Sequence, residues 1–117
     1  MTVNPWVLGL VVLVGIVILS RSFARRGDIT GAEARELVAR GARLVDVRTA
    51  HEFAAGHLPG AVNIPLHELD RRTRELGAKQ QPVVVYCLSG HRSQRARTIL
   101  AADGFSAVRD LGAMRYW

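Results

Sequence analysis

The stretch VVVYCLSGHRS, Val83 to Ser93, constrains the fold more than any other part of the chain. An apolar, β-branched run ends at Cys87, crosses a short polar loop and passes directly into a helical pattern, in which Ala96, Ile99 and Leu100 form a buried stripe and Gly104 the stop. The same alternation runs through the rest of residues 28–117. Thr30 followed by Glu33 is a capping box, and Ala34, Leu37 and Val38 continue at helical spacing until Gly41. RLVDV (43–47) and AVNI (61–64) read as short strands, and AVRDL (107–111) as a last one. HEFAAGHLPG (51–60) is turn-rich, with a helical turn near Glu52. Leu66, Leu69 and Leu76 outline a second amphipathic helix ending at Gly77. Strands alternating with helices predict an α/β architecture around a mostly parallel sheet. In such sheets ligands sit beyond the carboxyl ends of the strands, which is where Cys87 falls.

Residues 1–20 stand apart, because they contain no Lys, Arg, Asp, Glu or His. A helix of about 20 apolar residues spans a bilayer's hydrocarbon layer. Residues 1–20 are therefore expected to be a transmembrane helix, residues 21–27 a juxtamembrane linker and residues 28–117 one domain. Trp6 suits one interface and Arg21, Arg25 and Arg26 the other. The positive-inside rule then predicts a single-pass protein of an inner or plasma membrane, with its soluble domain cytoplasmic. A cleaved signal peptide is the competing reading. It fits less well, since no basic residue precedes the apolar run and the positive charge follows it.

Cys87 is the only cysteine, so an internal disulfide and CxxC chemistry are excluded, and a structural metal site with them. The formal charge of +6 suits anionic partners, but scattered arginines without interleaved aromatic residues argue against a nucleic-acid surface.

A lone cysteine ending a buried strand is commonly an inert small hydrophobe. The residues after Cys87 point the other way. A strand turning at once into a helix leaves backbone N–H groups facing the loop's concavity, which makes an anion cradle. Gly90 permits the positive φ that a tight cradle needs, and Arg92, with His91 beside it, adds positive charge. Between Glu75 and Asp103 there is no carboxylate, whereas Lys79, Arg92, Arg95 and Arg97 all fall there. Such a setting favours a thiolate nucleophile.

Residues 28–117 resemble a single rhodanese domain, the sulfurtransferase family. DVRTAHEFAAGHLPGAVNIP (46–65) and CLSGHRS (87–93) carry the resemblance, in the order the family has them. It implies a three-layer sandwich around a five-stranded parallel sheet, with Cys87 as the sulfur-carrying catalytic residue. It implies that Leu88, Ser89, Gly90, His91, Arg92 and Arg48 face a small anionic sulfur donor such as thiosulfate. Asp46 and Ser93 would support them, and an external thiol or cyanide would accept the sulfur. The resemblance implies no metal or organic cofactor. Asp46 is read as an anchor of neighbouring loops, Arg48 as either an anion holder or an anchor, and His57 is expected to fix its loop by hydrogen bonds. His51, His67, Arg95 and Arg97 read as solvated. The six residues Cys87 to Arg92 match sulfur-transferring relatives; phosphatases and arsenate reductases of similar fold carry one residue more, and that reading is disfavoured. A non-catalytic docking or regulatory module at the membrane is the alternative, its protein partner unidentified. Ala113 departs from the glycine pair that family members often carry after the last strand, which predicts strain if a positive φ is needed there.

Overall fold

In the computed structural model, residues 2–22 and 24–117 are described, with side chains outside 17–22. A first helix, α1, covers Pro5–Ser22. The domain then runs α2 (Gly31–Ala39), β1 (Arg43–Asp46), α3 (Ala50–Ala54), β2 (Val62–Asn63), two short 3₁₀ segments (Leu66–Arg71 and Thr73–Leu76), β3 (Val83–Cys87), α4 (His91–Ala102) and β4 (Val108–Ala113). The sheet order is β2-β1-β3-β4, and every pairing is parallel.

Strand β3 is buried at every position and shows why both sheet faces need cover. Alternate side chains of a strand point to opposite faces. Val83, Val85 and Cys87 therefore join Val45, Ala96, Leu100 and Phe105 on the α4 side. Val84 and Tyr86 join Ala34, Leu44 and Leu111 on the α2 side. Fully burying each valine contributes roughly 1.5–3 kcal/mol. Cys87, 0% exposed, shares this packing on the α4 face.

The expected five-stranded sheet has four strands among the described residues. What stands at the outer edge of β4 is a single antiparallel bridge, Arg26 to Gly112. The chain there is bound by Gly27 N–H to the Leu111 carbonyl at 3.0 Å and by Ala113 N–H to the Arg25 carbonyl at 2.9 Å. The end of the expected linker is thus part of the domain's edge.

The expected helix over Leu66–Leu76 is instead the pair of 3₁₀ segments, broken at Arg72 with φ −118°. Residues three apart eclipse in a 3₁₀ turn, so a Leu66/Leu69 spacing serves it as well as an α-helix. Last, the strain expected at Ala113 does not arise. Its φ of −66° and ψ of 136° are extended, and the positive φ, 84°, belongs to Gly112.

Among the described residues no helix is long and apolar enough to cross a membrane. The expected span 1–20 includes Met1 and the side chains of Val17, Ile18, Leu19 and Ser20, which lie outside what is described, as does the Arg21 side chain beyond it. In the described part of α1 the large apolar side chains Trp6, Val7, Leu8, Leu10–Val14 and Ile16 are all exposed.

Candidate active site

The site is built where β3 ends and α4 begins. Gly90 is the N-cap residue of α4, and α4 has no acidic residue in its first turn. The positive end of the helix dipole therefore faces the Cys87 sulfur unopposed by its own helix. The Gly90 N–H donates to Sγ at 3.0 Å and the Ser93 N–H at 3.4 Å. The Ser93 hydroxyl lies 3.6 Å from Sγ and donates to the Gly90 carbonyl at 3.0 Å. Gly90 adopts φ +99°, a conformation that side chains resist. The cradle expected from the sequence is present, with Ser93 as a full member.

Around it the expected residues divide. Leu88 is exposed, 55% accessible, and stands at the rim. His91 is exposed as the first residue of α4. The Ser89 carbonyl is turned to the back of the loop, where it accepts from the Arg25 N–H at 2.6 Å. Arg92 meets a carboxylate that the local sequence does not show: it donates from both terminal nitrogens to Glu52, at 2.7 and 3.0 Å. Glu52 is itself fixed by a capping box with Thr49 at the start of α3. The Arg92 guanidinium holds the Glu52 carboxyl well below the usual range, at about 2. The Thr49-x-x-Glu52 spacing is a readable capping signal; its pairing with Arg92, 40 residues on, is not.

Arg48 is nearly buried and committed elsewhere. It donates to both oxygens of Asp46, at 2.7 to 3.1 Å, and to the Gly56 carbonyl at 2.6 Å. Asp46 also accepts from the Tyr86 hydroxyl at 2.8 Å, and that hydroxyl in turn accepts from the Leu58 N–H at 3.1 Å. Burial pushes the Tyr86 phenol above its usual range. Of the two roles open to Arg48, anion holder or loop anchor, this geometry gives the anchor. Asp46 and Arg48 together tie the loop of residues 49–60 to the end of the sheet. His57 behaves as expected, its Nδ1 3.0 Å from the Phe53 carbonyl and its ring stacked on Phe53 at 3.7 Å.

Beside Arg92 opens a cavity of about 370 Å³, floored by Val47, Leu66 and Ile99 and edged by Arg92, Arg95 and His67. Arg95 and His67, read from the sequence as solvated, edge this cavity while remaining exposed.

The Rhodanese-like domain family matches residues 30–117. The chain belongs to that family. This rhodanese-like domain is 40% identical over 79 residues to YqhL, an uncharacterised protein of Bacillus subtilis, covering 67% of this chain and 62% of YqhL. It is 39% identical over 92 residues to the thiosulfate sulfurtransferase GlpE of Ectopseudomonas mendocina, covering 76% of this chain and 82% of that one. Among solved structures it superposes on the human single-domain sulfurtransferase TSTD1 with a TM-score of 0.66 and 34% identity, covering 76% of this chain and 92% of the other. The likeness to TSTD1 accords with the parallel sheet, four-stranded here.

Two features of the rhodanese site escaped the sequence reading: Glu52 as the partner of Arg92, and Arg25 with Asp110 behind the loop. Arg25 donates from both terminal nitrogens to the same Asp110 oxygen at 2.9 Å. The pair joins residues 85 positions apart, and nothing local in the sequence marks it.

Proposed function

We propose that the chain is a rhodanese-type sulfurtransferase that carries sulfane sulfur as a persulfide on Cys87. The observation that carries this reading is the pair of backbone N–H groups, Gly90 and Ser93, converging on Sγ at the N-terminus of α4. Donors fixed in this way stabilise negative charge on sulfur without reorganising during reaction. With thiosulfate as donor, the Cys87 thiolate attacks the outer sulfur. The sulfur–sulfur bond of thiosulfate breaks, sulfite leaves with the electron pair, and Cys87 becomes a persulfide anion. An acceptor thiolate or cyanide then takes the terminal sulfur and restores the Cys87 thiolate. As Cys87 is the only cysteine, no internal thiol can resolve the persulfide, and the acceptor comes from outside. The names of the relatives agree: GlpE of Ectopseudomonas mendocina is a thiosulfate sulfurtransferase and a human relative a thiosulfate:glutathione sulfurtransferase.

Incubation with thiosulfate, followed by intact mass, tests this directly. The expected result is a gain of one sulfur atom that disappears when a thiol is added. Cys87→Ser should take up none while keeping its fold. A parent protein that gains no sulfur from thiosulfate or from a persulfide donor sinks the reading.

We further propose that residues 1–20 hold the domain at an inner or plasma membrane, on its cytoplasmic side. Supporting this are the uncharged run itself, the exposed apolar side chains of α1 and the arginines that follow it. In sealed vesicles the soluble domain should resist protease added from the extracytoplasmic side; digestion there refutes the orientation.

A further inference from the structure

We propose that Arg25 is a positioning residue for the Cys87 cradle, holding from behind the two peptide planes that meet at Gly90, the first of which donates its N–H to the sulfur. The proposal rests on the persulfide reading of Cys87. A trans peptide is planar, so its C=O and N–H point in opposite directions. The Ser89 carbonyl and the Gly90 N–H belong to one such plane. Arg25 grips the carbonyl through its own N–H at 2.6 Å, and the Gly90 N–H on the other side reaches Sγ at 3.0 Å. The next plane, on the other side of Gly90, is held by the Arg25 side chain. The Gly90 carbonyl accepts from the Arg25 guanidinium at 3.2 Å and from the Ser93 hydroxyl, the group beside Sγ.

The guanidinium is itself held by Asp110, which is 1% exposed and accepts from the Gly112 N–H at 2.8 Å. Two glycines make room for this contact. A Cβ on Gly90 would stand 2.5 Å from the Arg25 carbonyl oxygen, and one on Gly112 would stand 2.3 Å from the same atom. Gly90 is therefore required twice, for its φ and for the approach of Arg25. Since Arg25 lies three residues beyond Ser22, the last residue of α1, the cradle is tied to the chain just past that helix.

The test compares Arg25→Met, Arg25→Lys and the double variant Arg25→Met/Asp110→Asn. The double variant removes the carboxylate that Arg25→Met would leave buried without a cation. Melting temperature is read beside the rate of persulfide formation at saturating thiosulfate. The double variant should melt near the parent yet form persulfide about tenfold more slowly, less than the hundredfold or more seen when an oxyanion donor is deleted outright. Arg25→Lys should fall between, because an ammonium keeps the charge but loses the rigid two-nitrogen hold on Asp110. A folded variant lacking the guanidinium that forms persulfide at the parent's rate overturns the proposal. So does loss of fold in both methionine variants with Arg25→Lys at the parent's rate, which would make Arg25 merely structural.

If the parent takes up no sulfur, the sulfurtransferase reading fails by itself, and alkylation of Cys87 by iodoacetamide then judges Arg25. Slower alkylation in the double variant supports the positioning role; equal or faster alkylation overturns it.

Discussion

Two arginine–carboxylate pairs flank the loop-bearing end of the sheet, and they do opposite kinds of work. Asp46–Arg48 is sealed, with side chains 0% and 6% accessible, and carries the tyrosine hydroxyl and loop carbonyl already described. Glu52–Arg92 is open, with side chains 28% and 34% accessible, and its arginine edges the cavity of about 370 Å³. The first pair is surrounded by groups that would be stranded without it. Water can replace either partner of the second. One chemical motif therefore serves as an internal clasp in one place and as an adjustable charge at the mouth in the other.

The sharpest way to break this contrast is Asp46→Ala. Leaving a buried charge without its partner costs about 3–5 kcal/mol. For a domain of this size, that corresponds to a drop in melting temperature of roughly 20 °C. The protein that stays folded should retain nearly its full rate of persulfide formation, because Arg48 reaches the 49–60 loop and not the sulfur. A variant that melts normally but has lost its rate would reverse the assignment and return Arg48 to the anion site.

Glu52→Gln probes the open pair and should cost at most about 1 kcal/mol of stability, as exposed pairs do. Its effect belongs on the substrate instead. With Glu52 neutral, the Arg92 charge is no longer compensated, so the KM for thiosulfate should fall by a small factor, and added salt should erase the gain. A rise in KM, persisting in high salt, would mean that Glu52 chiefly orients Arg92.

These pairs also show what could be read before the fold was known. Cys87, Gly90, Arg92 and Ser93 were legible because the cradle is local: a strand, a glycine and a helix start follow one another along the chain. The clasp was half legible, since Asp46 and Arg48 are two residues apart, but the decision between anchor and anion holder depended on Gly56 and Tyr86 arriving from elsewhere. Arg25 and Asp110 were invisible because only a long-range antiparallel bridge, Arg26 to Gly112, brings residue 25 to the outer edge of β4. Strand AVNI shrank to Val62–Asn63 at the sheet's edge, where the Asn63 side chain donates instead to the carbonyls of Asp46 and Arg48, at 3.0 and 2.9 Å. Such a side chain stitches loops together while leaving no periodic trace.

The smallest predicted effect is also the most discriminating, because it concerns sign. Glu52 is lowered from 4.5 to about 2 by Arg92, so the unfolded chain takes up its proton first as the medium is acidified. Its contribution to stability is whole above 4.5 and is lost as pH falls through about 2. Asp110 is raised from 3.8 by burial, which outweighs the hydrogen bonds from Ser93 and the Gly112 N–H and the charge of Arg25. The folded state holds that proton longer, so its contribution is greatest below 3.8 and declines as pH rises through the higher folded value. Melting temperatures of the parent, Glu52→Gln and Asp110→Asn, followed from neutral pH into the carboxylate range, should therefore diverge. The parent's advantage over Glu52→Gln should shrink on acidification, and its standing against Asp110→Asn should improve. If both differences moved in the same direction, the open and the buried carboxylate would share one environment, and the contrast between the mouth of the site and the support behind its loop would fail.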